Sequence, residues 1–241
     1  MLVWPMLALG WMMNLFQRAA ASGRRLEALF AIEPEMRDLP GAVPLPAARG
    51  HIAARGLTFR YAPDLPPALC DIDLDVPPGQ SVGVIGRTGS GKSTLAQLLL
   101  RTFNPPPGEL FLDDVDINDL RLADLRRAIA YVPQDTFLFS RSIAENIAFD
   151  PAPHERVAIE AAARAADIAR DIEDFPDGYE TPVGERGITL SGGQRQRVGL
   201  ARALLKDAPV LVLDDCMSAV DTFTEASILA SLPDHAVGRT I

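Results

Sequence analysis

Eight residues in a row, Gly86-Arg87-Thr88-Gly89-Ser90-Gly91-Lys92-Ser93, fit the spacing G-x-x-x-x-G-K-[ST]. Glycines at these intervals let successive backbone N–H groups turn toward one anion, and a helix starting at the loop adds the positive end of its dipole. The amine of Lys92 would reach the β- and γ-phosphates of a nucleotide, and the Ser93 hydroxyl is placed to ligate Mg²⁺. The chain therefore reads as a binder of a nucleoside triphosphate. Further along, residues 209–215 read PVLVLDD, an apolar strand ending in two carboxylates. Phosphate-bound Mg²⁺ takes one or two carboxylate oxygens, often through water, and Asp214 suits that role. Asp215, next in line, is where a side chain could orient or deprotonate an attacking water. Between the two sites lies Leu190-Ser191-Gly192-Gly193-Gln194, followed by RQRVGLARALL, an amphipathic helical pattern. A Ser-Gly-Gly turn opening a helix is itself an anion site. One nucleotide needs one γ-phosphate cradle, so a second cradle points to a nucleotide held by another chain.

The elements that must hold these groups follow from periodicity. HIAARGLTFRY, LCDIDLDV and QSVGVIG read as strands, the second with strict alternation, and the third runs directly into the phosphate loop. STLAQLLLR after the loop reads as a helix, so the motif has the strand–loop–helix context it requires. With 241 residues, 48% of them hydrophobic, the chain can bury a core and is not disordered as a whole. A net charge of −9 with no offsetting basic block argues against nucleic-acid binding by charge. Cys70 and Cys216 lie too far apart in sequence for a disulfide framework or zinc knuckle, and point to a reducing cytosol.

The start of the chain is different in kind. Residues 1–16, MLVWPMLALGWMMNLF, carry no charge. As a helix they would cover about 24 Å, short of a bilayer core of about 30 Å. Arg18, Arg24 and Arg25 follow, as basic residues do at the cytoplasmic end of a membrane helix. The segment reads as the exit half of a membrane helix, with a core or surface helix as the alternative. Residues 33–50, rich in proline and glycine, read as a linker.

Taken together, these motifs resemble the nucleotide-binding domain of ABC transporters, of the exporter type whose membrane helices are fused to that domain. The likeness runs over all of residues 1–241. It implies an α/β fold: a P-loop NTPase core of ABC ATPase type with an antiparallel β-subdomain and an inserted helical subdomain at about 143–177. Residues 1–32 would be the end of the last transmembrane helix and its cytoplasmic extension, 33–50 the linker, and 51–241 the nucleotide-binding domain without its C-terminal part. In the family, residues matching Gly86, Arg87, Thr88, Gly89, Ser90, Gly91, Lys92, Ser93 and Thr94 bind ATP, and an aromatic matching Tyr61 stacks on adenine. Gln134, in YVPQDTFLFSRSIAENI, matches the glutamine that contacts Mg²⁺ with Ser93 and Asp214 and couples the site to the membrane part. Ser191, Gly192, Gly193 and Gln194 match the signature that acts on the partner's ATP. Residues 218–221 resemble the D-loop, with Asp221 at the dimer interface, and TPVGERG at 181–187 resembles a loop peculiar to exporters. The implied cofactors are ATP and Mg²⁺. The implied partners are a second half-transporter and the membrane, reached through the N-terminal helix. The implied location is the inner (plasma) membrane, with this domain on the cytoplasmic side.

Two departures qualify the resemblance. Asp215 stands where strongly catalytic members carry Glu, which shortens the side chain by one methylene, and a displacement of about 1 Å can lower a rate on the order of 10²-fold. Exporters built from two different half-chains often carry such a change in one of them, so the expectation is the weak-site half of a heterodimer. The alternatives are a slow homodimer and a soluble ABC ATPase without a membrane partner. The second departure is the end at Gly238-Arg239-Thr240-Ile241, before the strand and switch histidine of the family. His51, His154 and His235 all precede that strand and are expected at the surface, with His235 in a loop.

Overall fold

The computed structural model describes residues 3–149, 153–184 and 190–241. It divides into two units, residues 1–37 and 38–241. The first is dominated by one helix, α1 (Val3–Phe30), none of whose side chains is buried. The helix outlasts the apolar run because Gln17–Phe30 is made of good helix formers, Ala, Arg, Leu and Glu, after the apolar residues end. Among the described residues no helix is long and apolar enough to cross a membrane.

The second unit begins earlier than the expected linker allows. Val43 donates its N–H to Asp119 O (2.7 Å) and accepts from Arg121 N (3.0 Å), while Asp38 caps Leu122 N at 2.7 Å. Leu45 and Ala48 pack on the core. The proline-rich stretch from Asp38 to Gly50 is thus a strap bound to the domain rather than a free linker. Prolines keep it from forming a continuous strand, yet leave its other backbone groups free to pair, as in the single parallel bridge of Val43 with Leu120.

Within this unit, β1 (Ile52–Phe59), β2 (Leu69–Val76), β3 (Leu110–Leu112) and β4 (Val115–Asp116) form an antiparallel sheet in the order β2-β1-β3-β4. Its apolar face packs with α2 (Lys92–Leu99) and α3 (Leu122–Ala128) around Leu57, Leu98, Leu110, Leu112 and Leu125. A parallel pair, β5 (Ile129–Val132) and β6 (Val210–Leu213), carries the chemistry-bearing ends. Thr240 adds to β6 through Leu211 N and Pro209 O, each bond 2.8 Å, and Ile241 bridges on to Gln80 and Val82. The second core lies under α4 (Ile143–Ile147), α5 (Arg156–Ala165), α6 (Ala169–Glu173), α7 (Gly192–Leu205) and α8 (Thr222–His235).

Two expectations change here. Residues 80–86 form no regular strand; Gln80 and Val82 bond to Ile241, and Val84 and Ile85 lie exposed. An alternating apolar pattern does not make a strand unless a neighbouring chain supplies the ladder. His235 sits in the last turn of α8 rather than in a loop, and His51 and His154 are half-buried rather than at the surface. His51 lies between Asp75 (Nε2–Oδ1 2.8 Å) and Asp114 (Nδ1–Oδ1 3.5 Å).

Candidate functional site

The phosphate loop closes on itself through backbone geometry that only glycine tolerates. Gly91 sits at φ +92°, and a Cβ there would lie 2.5 Å from Ala68 O. Gly86 faces Ser90 Oγ just as closely. Lys92 folds back over the loop, its ammonium donating to Gly86 O (2.8 Å) and Arg87 O (3.1 Å). The helix α2 starts at Lys92 with Gly91 as its cap and no side-chain capping bond, so its first N–H groups face the loop. Thr94, expected among the nucleotide contacts, is buried, and its hydroxyl pairs with Tyr61 OH at 2.8 Å.

Tyr61 is placed by this bond, by Gln97 Oε1 (3.4 Å), and by edge contacts with Phe59 and Phe103, both at 5.1 Å between ring centroids. Tyr61 is 47% exposed.

At the ends of β5 and β6 the carboxylates meet the loop. Ser93 Oγ donates to Asp214 Oδ1 at 2.9 Å. Adjacent ligands of an octahedral Mg²⁺ with bonds near 2.1 Å are about 3.0 Å apart, so this pair fits one shared ion. Among the described residues no group of three or more His, Cys, Asp or Glu side chains is placed to hold a metal. The other oxygen of Asp214 accepts from Tyr131 OH at 3.1 Å. Burial and the Asp214 charge push the Tyr131 phenol up to about 12, so it remains a hydrogen-bond donor. Nothing about Tyr131 in the sequence marks this role beyond its place three residues before Gln134.

Gln134 Nε2 donates to Asp215 Oδ2 at 3.0 Å. The glutamine expected as a metal contact is here the partner of the second carboxylate. Asp215 stands at φ +50°, a left-handed conformation that Asp adopts more readily than most residues. Cys216, immediately after it, is buried, and burial pushes its thiol up to about 11.

The Ser191 turn is built as a capping box. Ser191 Oγ accepts from Gln194 N (3.2 Å), and Gln194 Oε1 accepts from Ser191 N (3.0 Å). Gln194 Nε2 donates to Asp171 Oδ1 (2.9 Å), and Arg197 pairs with the same carboxylate at 2.8 Å. Burial alone would raise the Asp171 carboxyl, yet hydrogen bonds from Gln194 and Arg197 and the Arg197 charge bring it below the usual carboxylate range. Both ends of the Gln194 amide are thus engaged within its own chain, and the Ser191 hydroxyl proton and the Gly192 and Gly193 N–H groups are the donors at the turn. Asp221 caps α8 through Phe223 N (3.2 Å) and Thr224 N (2.9 Å). Of the expected exporter loop at 181–187, residues 185–187 lie outside the described residues.

A phosphate loop, a Ser–Asp metal pair, and a separate Ser-Gly-Gly helix start in one α/β domain define an ATPase domain of the ABC type. A family model described as ABC transporter matches residues 69–218, and the chain belongs to that family. The Multidrug resistance-like ATP-binding protein MdlA of Escherichia coli (strain K12) is 43% identical over 241 residues, 100% of this chain and 40% of that protein. The ATP-dependent lipid A-core flippase of Pseudomonas aeruginosa is 47% identical over 201 residues, 83% of this chain and 33% of that protein. A solved bacterial Atm1-family ABC exporter with ATP bound superposes with a TM-score of 0.90 at 37% identity, covering 98% of this chain and 41% of the other. The chain therefore spans 33–40% of the length of these curated relatives, and it has the fold of the ATPase part of such an exporter.

Proposed function

We propose that this chain is the ATP-hydrolysing part of an exporter half-transporter working as a dimer in the inner membrane, with the ATPase facing the cytoplasm. The reading rests above all on the Ser93–Asp214 pair set beside a second, capped helix start at Ser191. Each ATP would lie between one chain's loop 86–94 and the other chain's residues 191–193. Lys92 would leave Gly86 O and Arg87 O for phosphate oxygens, Tyr61 would stack on the base, and Ser93 with Asp214 would hold the ion. Bound Mg²⁺ would neutralise charge on the transferring phosphoryl group. Asp215, steadied by Gln134, would orient the attacking water. Binding energy would draw the two domains together and hydrolysis would release them.

The names of the relatives, multidrug resistance and lipid A-core flipping, support a hydrophobic or amphipathic cargo. The apolar helix α1 supports attachment to membrane helices over a soluble ATPase. Asp215 supports a heterodimer in which this chain holds the weak site and lends its intact 191–194 turn to a strong one.

The deciding experiment is ATP turnover by the transporter that contains this chain, alone and with candidate partner half-transporters. Ser191→Arg is expected to abolish turnover of the heterodimer, while Asp215→Asn leaves most of it. Asp215→Glu should add a second active site. Equal losses from Ser191→Arg and Asp215→Asn, or brisk turnover by this chain without a partner, would replace the heterodimer by a homodimer that tolerates aspartate.

A further inference from the structure

One stripe of α7 carries the two loops that flank the carboxylates. Its residues, spaced by threes, are Gly193, Gln196, Gly199 and Arg202. A Cβ on Gly193 would lie 2.8 Å from Ala219 O, and one on Gly199 would lie 2.5 Å from Thr136 Cγ2. The glycines thus let the segment after Asp215 and the segment after Gln134 lie directly against the helix. Between them, Gln196 is buried, 6% exposed, with its amide in use at both ends. Nε2 donates to Gln134 O (3.1 Å) and to Ser218 Oγ (3.0 Å), and Oε1 accepts from Ala219 N (2.8 Å).

We propose that Gln196 is a positioning residue for hydrolysis: its side-chain amide locks the backbone of Gln134 and the 218–219 turn to the helix that begins at Ser191. Gln134 holds Asp215, and the 218–219 turn leads from Asp215 to Asp221. One amide therefore sets both the partner of the water-orienting carboxylate and the loop leaving that carboxylate. It does so from the helix whose start serves the other nucleotide. A shift of the Ser191 turn on engaging that nucleotide would reach Asp215 through Gln196. Because the Gln196 amide is engaged by Gln134 O, Ser218 Oγ and Ala219 N, its loss acts on the chemical step and not on binding. The inference rests on the reading of the chain as an ATPase that works in a dimer.

The test uses the complete transporter, this chain joined to its membrane part and partner, with Asp215→Glu in this chain and the partner's own nucleotide site inactivated, so that turnover reports the site that Gln196 acts on. ATP turnover is measured over a range of ATP concentrations, loaded sites are counted by retained fluorescent ATP analogue, and the thermal midpoint is recorded. The parent must turn over ATP and lose analogue binding with Lys92→Ala; failure there overturns the ATPase reading itself. With that met, Gln196→Ala is expected to lower kcat per loaded site at least tenfold with KM within twofold. Ser218→Ala, an exposed change that leaves the fold intact, is expected to lower kcat about threefold. The double variant should be no slower than Gln196→Ala. A purely structural role would lower the midpoint and the number of loaded sites while leaving kcat per loaded site unchanged. The proposal is overturned if kcat per loaded site in Gln196→Ala stays within twofold of the parent, or if the two losses multiply in the double variant. Should Gln196→Ala not fold, an unchanged kcat in Ser218→Ala overturns it, and a threefold loss supports it.

Discussion

Arg202, on the last turns of α7, is the side chain whose removal should most damage the helical part of the domain. Its guanidinium donates from Nε to Asn146 O (2.8 Å), from Nη2 to Asn146 Oδ1 (3.2 Å) and from Nη1 to Phe137 O (3.2 Å). It also lies 5.4 Å from the Phe149 ring centroid and 6.0 Å from that of Phe139, two rings stacked at 4.2 Å. Asn146 is fully buried and in turn holds Phe139 N, Phe139 O and Ser142 O, so the arginine ends a chain of polar contacts that water cannot replace. Two part-buried charge-assisted bonds contribute about 1.5–3 kcal/mol each, and the exposed bond to Phe137 O less. The aromatic contacts add about 0.5–1 kcal/mol. Against this stands desolvation, strong enough to push the guanidinium down to about 10. The net effect of Arg202→Ala is therefore placed at about 3 kcal/mol rather than the full sum, or about 6–12 °C in thermal midpoint for a domain of this size. Arg202→Lys keeps the charge but cannot present three donors in a fork, so it should lose about 2 kcal/mol. Urea unfolding of the parent and both variants measures this, with hydrogen exchange over residues 137–149 as the local readout. A loss below about 1 kcal/mol in Arg202→Ala, or parental stability in Arg202→Lys, would refute the role of the fork geometry.

Two further outcomes follow from the site. Tyr131→Phe removes the donor to Asp214 Oδ2, and the half-saturating Mg²⁺ for ATP turnover should rise about three- to tenfold while nucleotide binding without metal is unchanged; an unshifted Mg²⁺ titration would refute the role. Asp171, held below the usual carboxylate range, contributes stability that is present above its unfolded pKa near 4 and lost as pH falls through the lower folded value. Asp171→Asn should therefore remove about 1–2 kcal/mol at pH 7 and flatten the acid limb of the stability curve, checked by urea unfolding at several pH values between about 3 and 7; an unchanged acid limb would count against it.

Much of the site was legible because its parts are local. The loop 86–93 is one turn and a helix start, Asp214 ends an apolar strand, and Ser191 and Gln194 cap their own helix three residues apart. Such units fold on contacts within a few residues, so residue type and spacing suffice to find them. Tyr131, Asp171, Gln196 and Arg202 were not legible in this way. Each gains its role from a partner 22 to 83 residues away: Asp214, Gln194, Ser218 and Asn146. Nothing in the neighbourhood of a glutamine in RQRVGLARALL marks it as the tie between two loops.

The same division explains where expectation and structure part. The proline-rich segment before residue 50 has a linker's composition, but Val43 finds ladder partners at Asp119 and Arg121 once β4 and α3 are in place. Residues 80–86 have a strand's alternation, but only Gln80 and Val82 find a neighbour, at Ile241. The amino-acid sequence by itself determined which residues can cradle phosphate, ligate an ion and cap a helix, because those are properties of short stretches of chain. Only the tertiary structure decided which carboxylate each donor serves and which loops share a helix. Hydrogen-bond partners remote in sequence are chosen by how apolar faces pack, and packing brings them together as a consequence.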